Sequence, residues 1–216
     1  MPEYVDAGIP DPKVFYADKF AHENRWDVAR VPLARYDIRL AKRFWVYRHV
    51  PPGSRVLDFG CGSGTLSLLK AKHCTLVGVD LSAKALEIAR AVSGYDEVFC
   101  GEIGAFPAAP HSFDCIVSLD VFGHIPMEAK DAVIQRLKRL LGPNGFMLHG
   151  IECGDVPYDR MSAEELAAFV QVDGHIGIEP RDAILTRFKR FFRNVRGEIR
   201  FCLENAADEY RKQSDL

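Results

Sequence analysis

The residues of this chain best placed to do chemistry begin with Asp58-Phe59-Gly60-Cys61-Gly62-Ser63-Gly64, a carboxylate followed by glycine at every second position. Glycine is required where a backbone turns tightly or comes within contact distance of a ligand. The run Thr65–Ala71 behind it predicts a helix, whose first N–H groups would be open to a polar or anionic ligand group. Asp80 ends the apolar run Thr75-Leu76-Val77-Gly78-Val79, 20 residues after Gly60. A carboxylate at the tip of a second strand can accept hydrogen bonds from both ribose hydroxyls of an adenosine. The spacing Asp-x-Gly-x-Gly-x-Gly is not the dinucleotide fingerprint, whose third glycine would fall at Thr65.

Histidines extend the list. His124 follows the fourth apolar run and suits proton removal, because imidazole titrates near neutrality. His175 lies in Asp173-Gly174-His175-Ile176-Gly177 and would reach a site as part of a cap. His149 falls inside a strand and reads as packed. Asp120 and Glu152 are lesser candidates for the same role. No metal is expected: no cysteine–histidine cluster has ligand spacing. Asp120, His124, Glu152 and His175 nevertheless stay open as ligands.

These groups need a scaffold. Val56-Leu57, Thr75–Asp80, Glu97–Cys100, Ser112–Leu119 and Phe146–Ile151 read as strands, bounded by turn residues. Helices are expected over Ala83–Arg90, capped by Ser82, and over Met127–Leu141, with its stripe of Ala132, Val133, Leu137, Leu140 and Leu141. Strands alternating with helices imply a parallel sheet with right-handed crossovers, and ligands bind at the carboxyl ends of such strands. Asp58–Gly64, Asp80, Glu102, Asp120–His124 and His149–Cys153 all fall at those ends. Ahead of the sheet, Val14–His49 is helical and aromatic-rich; its first helix, Phe15–Trp26, could close over a ligand. Behind it come helices over Ala163–Val170 and Arg181–Phe192 and an alternating strand over Gly197–Glu204. The domain reading is a helical cap over 1–50 and an α/β domain over 51–216, with a substrate-side insertion at 152–182.

At this point Val56–Gly64 resembles the first motif of the class I S-adenosylmethionine-dependent methyltransferases, and Gly78-Val79-Asp80-Leu81-Ser82 their second. Gly101-Glu102-Ile103, Phe113–Ser118, Val121–Pro126 and Leu140–Gly145 are similar to the later motifs, in order, over about 55–151. The resemblance implies a Rossmann-like doubly wound sheet, mainly parallel and seven-stranded, with an antiparallel C-terminal strand. It implies S-adenosyl-L-methionine as cofactor and S-adenosyl-L-homocysteine as product. Asp58 opens the first motif and counts among the cofactor-binding residues. Gly60, Cys61, Gly62 and Gly64 would meet the methionine part. Asp80 would hold the ribose, Leu81 would lie against the adenine, and Glu102 and Ile103 would meet its edge. Ser118 and Leu119 would line the site near the sulfonium. Many relatives carry glutamate before the histidine of the fourth motif; here Gly123 stands there.

The activity expected is methyl transfer to a small molecule, with oxygen favoured as acceptor, of sugar or natural-product type, and His124 and His175 as catalytic residues. Two other readings stay open: an NAD(P)-binding oxidoreductase, and a non-catalytic partner protein that binds the cofactor. The 216 residues carry a net charge of −2, which gives no general attraction to nucleic acid or to an anionic membrane. A basic run at Arg187, Lys189, Arg190, Arg193 and Arg196 reads as a solvated helix face. No signal peptide and no membrane-length apolar run is visible, and the six cysteines suit a reducing compartment. A cytoplasmic monomer or homodimer is expected.

Overall fold

A computed structural model describes residues 38–153 and 174–197. The helices expected over Phe15–Trp26 and Ala163–Val170, and the strand over Gly197–Glu204 apart from Gly197 itself, lie outside the described residues. The described chain forms two compact units, one of residues 38–121 and 132–151, the other of residues 122–131, 152–153 and 174–197.

The first unit is a Rossmann-like α/β sheet. In chain order it holds α1 (Ile38–His49), β1 (Arg55–Phe59), a short 3-10 helix (Ser67–Lys72), β2 (Thr75–Asp80) and α2 (Ala83–Ala91). Then follow β3 (Glu97–Cys100), a 3-10 turn (Ile103–Ala105), β4 (Phe113–Leu119), α3 (Lys130–Leu140) and β5 (Leu141–Gly150). The five strands are all parallel, in the order β3-β2-β1-β4-β5. Order reverses between β1 and β4, which is where such sheets open a crevice at their carboxyl ends. Among the described residues there are five strands, against the seven with an antiparallel edge that were expected.

Sequence explains the layering. In β1 and β2 four consecutive residues are buried, so both sheet faces are covered. Val56, Leu57, Leu76, Cys115 and Ile116 are fully buried and carry the core. Ser82 caps α2 as its side chain accepts the Ala85 N–H at 3.2 Å. Two local expectations change. The helix expected over Thr65–Ala71 forms over Ser67–Lys72 and is of the 3-10 kind. The expected turn Gly142–Gly145 lies inside β5, where the pairing jumps from Phe113–Leu141 to Cys115–Phe146 as an irregularity in the ladder. No described helix is long and apolar enough to cross a membrane.

The second unit is built from a 3-10 turn (Phe122–His124), the first residues of α3, the segment 174–180 and α4 (Arg181–Lys189). Lys130 holds it together. Its ammonium is almost wholly buried, donates to the Gly177 carbonyl, and lies 2.7 Å from Glu179. Arg187 grips the same Glu179 at 2.7 Å and reaches Asp131 at 2.6 Å. Arg190 pairs with Asp131 as well, so two members of the basic run are engaged by acids within the unit. Gly177 is obligatory: a Cβ there would lie 1.9 Å from the Ile125 carbonyl oxygen. The Phe122 and Phe188 rings meet beside the network, their centroids 5.4 Å apart and their planes tilted by 58°. Removing one partner of a buried pair leaves the other charge uncompensated. Glu179→Ala should therefore cost this unit about 3–5 kcal/mol, measured by urea denaturation, whereas the exposed Arg181–Asp182 pair should be dispensable.

Candidate functional site

The glycine turn after β1 is pinned from behind. The N–H groups of Gly60 and Cys61 both donate to the Val79 carbonyl, at 2.8 and 3.2 Å. Those of Gly64 and Thr65 donate to the Cys61 carbonyl. Gly60, Gly62 and Gly64 have φ of 76°, 51° and 105°, which only glycine adopts without strain. A Cβ at Gly64 would lie 2.2 Å from Ser93, whose hydroxyl donates to the Ser63 carbonyl. The glycines here permit the backbone path and its packing.

Asp58 and Tyr95 anchor the turn. Both are buried, and the Tyr95 hydroxyl donates to Asp58 Oδ2 at 2.5 Å while accepting the Leu66 N–H at 3.0 Å. The Asp58 carboxylate is thus turned into the core. So is the Cys61 side chain, packed where a Cβ on Gly78 would strike its sulfur at 2.6 Å. Tyr95 was not singled out in the sequence, where it looks like any aromatic between a helix and a strand. The signal that could have found it is the buried acid at 58, which must have a hydrogen-bonding partner.

Asp80 faces the turn. Its Oδ2 accepts the Gly62 N–H at 2.8 Å, and its Oδ1 accepts the Ser82 N–H at 2.9 Å. Burial raises its pKa from the ordinary value, opposed by those backbone donors. Leu81 and Ser82 follow, with the exposed Cys100 thiol 3.6 Å from the Leu81 carbonyl. Ile103 is buried and Glu102 exposed at the end of β3. Ser118 is buried near the end of β4, its hydroxyl 2.7 Å from Nδ1 of His149, with Leu119 beside it half-buried. Burial pulls His149 down to about 4, so its ring is neutral at pH 7 and serves Ser118. Asp120 has a left-handed φ of 58° and is paired with Lys42 of α1.

This arrangement suits a cation better than an anion. The N–H groups of Gly60 and Cys61 go to the Val79 carbonyl, those of Gly64 and Thr65 to the Cys61 carbonyl, and that of Gly62 to Asp80. A six-residue 3-10 helix behind it offers little of the dipole that a pyrophosphate uses. What faces the turn is a carboxylate.

The second unit brings His124, Glu152 and His175 together. The imidazole rings of His124 and His175 stack at 4.4 Å, and Nε2 of His175 is 3.6 Å from Oε1 of Glu152. Nδ1 of His124 lies 3.0 Å from the Gly174 carbonyl, to which it donates. Gly123 makes room: a Cβ there would lie 3.0 Å from both Glu152 Oε2 and His175. Burial pushes the Glu152 carboxyl up, but the neighbouring His175 and His124 imidazoles outweigh it and hold the group below the usual carboxylate range. Of the histidines singled out in the sequence, His124 and His175 are thus neighbours and His149 has a separate partner.

Comparison with known proteins now adds identity. A model of the methyltransferase domain matches residues 56–145. The chain is 28% identical over 164 residues to a ubiquinone biosynthesis O-methyltransferase of Paracidovorax citrulli, covering 72% of this chain and 66% of that protein. It is 43% identical over 79 residues to a ribosomal protein L11 methyltransferase of Burkholderia multivorans, covering 34% of this chain and 25% of the other. The chain spans two thirds or less of the length of such relatives. Among solved structures, a methyltransferase-like protein of Bacillus halodurans superposes with a TM-score of 0.60 at 18% identity, covering 71% of this chain and 68% of that one. A Haemonchus contortus phosphoethanolamine N-methyltransferase bound to S-adenosylhomocysteine gives 0.57 at 24%, covering 72% and 36%. These two share the fold. Residues 56–145 are thus similar in sequence to the methyltransferase domain, and the sheet has the fold of the solved methyltransferases.

The Asp58–Tyr95 anchor makes a pH prediction. Burial lifts the Asp58 carboxyl from 3.8 to about 7; the Tyr95 hydrogen bond opposes this and the Asp80 charge adds to it. The folded chain therefore holds this proton more tightly than the unfolded chain. The resulting stability is complete below pH 3.8 and is lost as pH rises to about 7. Asp58→Asn removes that dependence. Urea midpoints should show the parent losing ground to the variant across this window, by roughly 4 kcal/mol at most; parallel profiles would refute the assignment.

Proposed function

We propose that this protein transfers a methyl group from S-adenosylmethionine to a hydroxyl oxygen of a small molecule, of sugar or natural-product type. The observation that carries the reading is the Asp80 carboxylate facing a glycine turn whose N–H groups are spent inward. The acid suits an adenosyl ribose, and the spent N–H groups, with Thr65 where a third glycine would stand, disfavour a pyrophosphate. Oxygen as acceptor is supported by the ubiquinone biosynthesis O-methyltransferases among the similar curated sequences. The matches to ribosomal protein L11 methyltransferases cover only a third of the chain, within what a shared cofactor domain would give.

In this reading Asp80 accepts hydrogen bonds from the ribose hydroxyls and Leu81 lies on the adenine. Glu102 and Ile103 meet the adenine edge. The Gly60–Gly64 backbone takes the methionine part, and Ser118 and Leu119 line the sulfonium side. Asp58 acts through Tyr95 by fixing the turn. The cofactor, when bound, supplies a methyl group already activated on sulfur, so the protein mainly positions and removes a proton. The acceptor oxygen forms the new bond to carbon as the carbon–sulfur bond breaks, and its proton must leave. His124 and His175 serve that end. The Nδ1–H of His124 donates to the Gly174 carbonyl, which fixes the tautomer and puts the basic nitrogen at Nε2.

Calorimetric titration with S-adenosylhomocysteine and with NADH tests the class: binding of the first alone is expected, and binding of NADH alone overturns the reading. Asp80→Ala should weaken S-adenosylhomocysteine by at least about 10-fold, since each charge-assisted hydrogen bond lost is worth roughly 1.5–3 kcal/mol. His124→Ala should leave that affinity nearly unchanged and lower turnover of an acceptor by about 10²–10⁴-fold, read by mass spectrometry of the methylated product.

A further inference from the structure

The trio His124, Glu152 and His175 has features that proton removal alone does not require. One donor atom from each residue can be chosen so that all lie within 4.8 Å of one another. The three come from separate stretches of chain, the 3-10 turn, the residue before Cys153 and the segment 174–180, so their meeting is a product of folding. Oε2 of Glu152 is buried and accepts no hydrogen bond among the described residues. A carboxylate oxygen buried in that way costs stability unless a donor or a cation reaches it. The nearest buried ammonium, Lys130, is already held by Glu179 and the Gly177 carbonyl. The Nδ1 bond of His124 to a backbone carbonyl is the support a metal-bound imidazole uses to fix its tautomer and present Nε2. Gly123 puts no side chain of its own against Glu152 Oε2 and His175.

We propose that His124, Glu152 and His175 bind one divalent first-row transition cation. Two imidazoles and one carboxylate select a borderline ion such as Zn²⁺ or Co²⁺ over Mg²⁺ or Ca²⁺, which take oxygen ligands. Bonds of about 2.0–2.1 Å from a shared ion place donors about 3.3 Å apart, so binding draws the trio inward by side-chain rotation. Three protein ligands leave a fourth position open. The use of that position by the acceptor hydroxyl rests on the methyl-transfer reading; the binding itself does not.

The full chain, carrying Cys100→Ser and Cys153→Ser to remove the described thiols not fully buried, is stripped with chelator and titrated. Uptake of one Zn²⁺ at micromolar or tighter affinity is expected, with visible absorption on Co²⁺ loading and no competition from millimolar Mg²⁺. Glu152→Gln, His124→Ala and His175→Ala should each weaken Co²⁺ by at least about 10-fold, and Gly123→Ala should alter its spectrum. Circular dichroism without metal confirms that each variant folds; Glu152→Gln is isosteric and decides the matter if an alanine variant does not. No stoichiometric uptake, or a folded Glu152→Gln chain with the parent's affinity and spectrum, overturns the proposal. S-adenosylhomocysteine binding, measured on the stripped protein, fails only if the methyl-transfer reading fails, so the two are judged apart.

Discussion

The hydroxyl of Tyr95 sits between two groups that would otherwise be unsatisfied in the core, the Asp58 carboxylate and the Leu66 N–H. Neither can be hydrated where it lies. One side chain meets both, and in doing so fixes the two ends of the glycine turn. The backbone between then has little choice. Gly60 and Cys61 hang from the end of β2, Ser63 from Ser93, and the peptide at Gly62 is left facing Asp80. The apparent binding motif is therefore first a solution to a buried-polar problem. Its ligand-facing surface is what remains once the inward bonds are made.

That logic explains what the sequence disclosed. The strands were legible because parallel strands covered on both faces are continuous apolar runs, as in Val56–Leu57 and Leu76–Val79. Asp80 was legible because its spacing from the turn is fixed by one crossover. The helix after the turn was legible in the composition of Thr65–Ala71, but its 3-10 form was not. The inward bonds of Gly64 and Thr65 tie the entry to Cys61, and the segment tightens into a 3-10 form. The turn Gly142–Gly145 was recognised as a turn, but that it interrupts a ladder depends on β4 lying alongside. Tyr95 was invisible, because its role depends on a contact across 37 residues of sequence.

The second unit was the least legible part. His124 and His175 were singled out separately, on general grounds of chemistry, and nothing in their spacing links them. Their meeting depends on Gly177, whose N–H reaches the Gly123 carbonyl at 2.9 Å and whose missing side chain lets the chain pass Ile125. It depends too on a lysine that looks exposed on any helical wheel. Lys130 opens α3, where periodicity gives no reason to bury it, yet its ammonium is buried against Glu179 at 2.7 Å. Charged networks of this sort are set by tertiary partners, and a single sequence does not announce them.

The thiols of the sheet carry a practical consequence. Cys61 and Cys115 are buried, and burial raises both above the usual thiol range, so neither presents a reactive thiolate. Cys100 is exposed, one strand tip away from Asp80 and directly beside the Leu81 carbonyl. A fluorophore attached there would sit at the rim of the sheet's carboxyl edge without entering the core. The fold thus provides its own attachment point for an optical reporter of events at that edge.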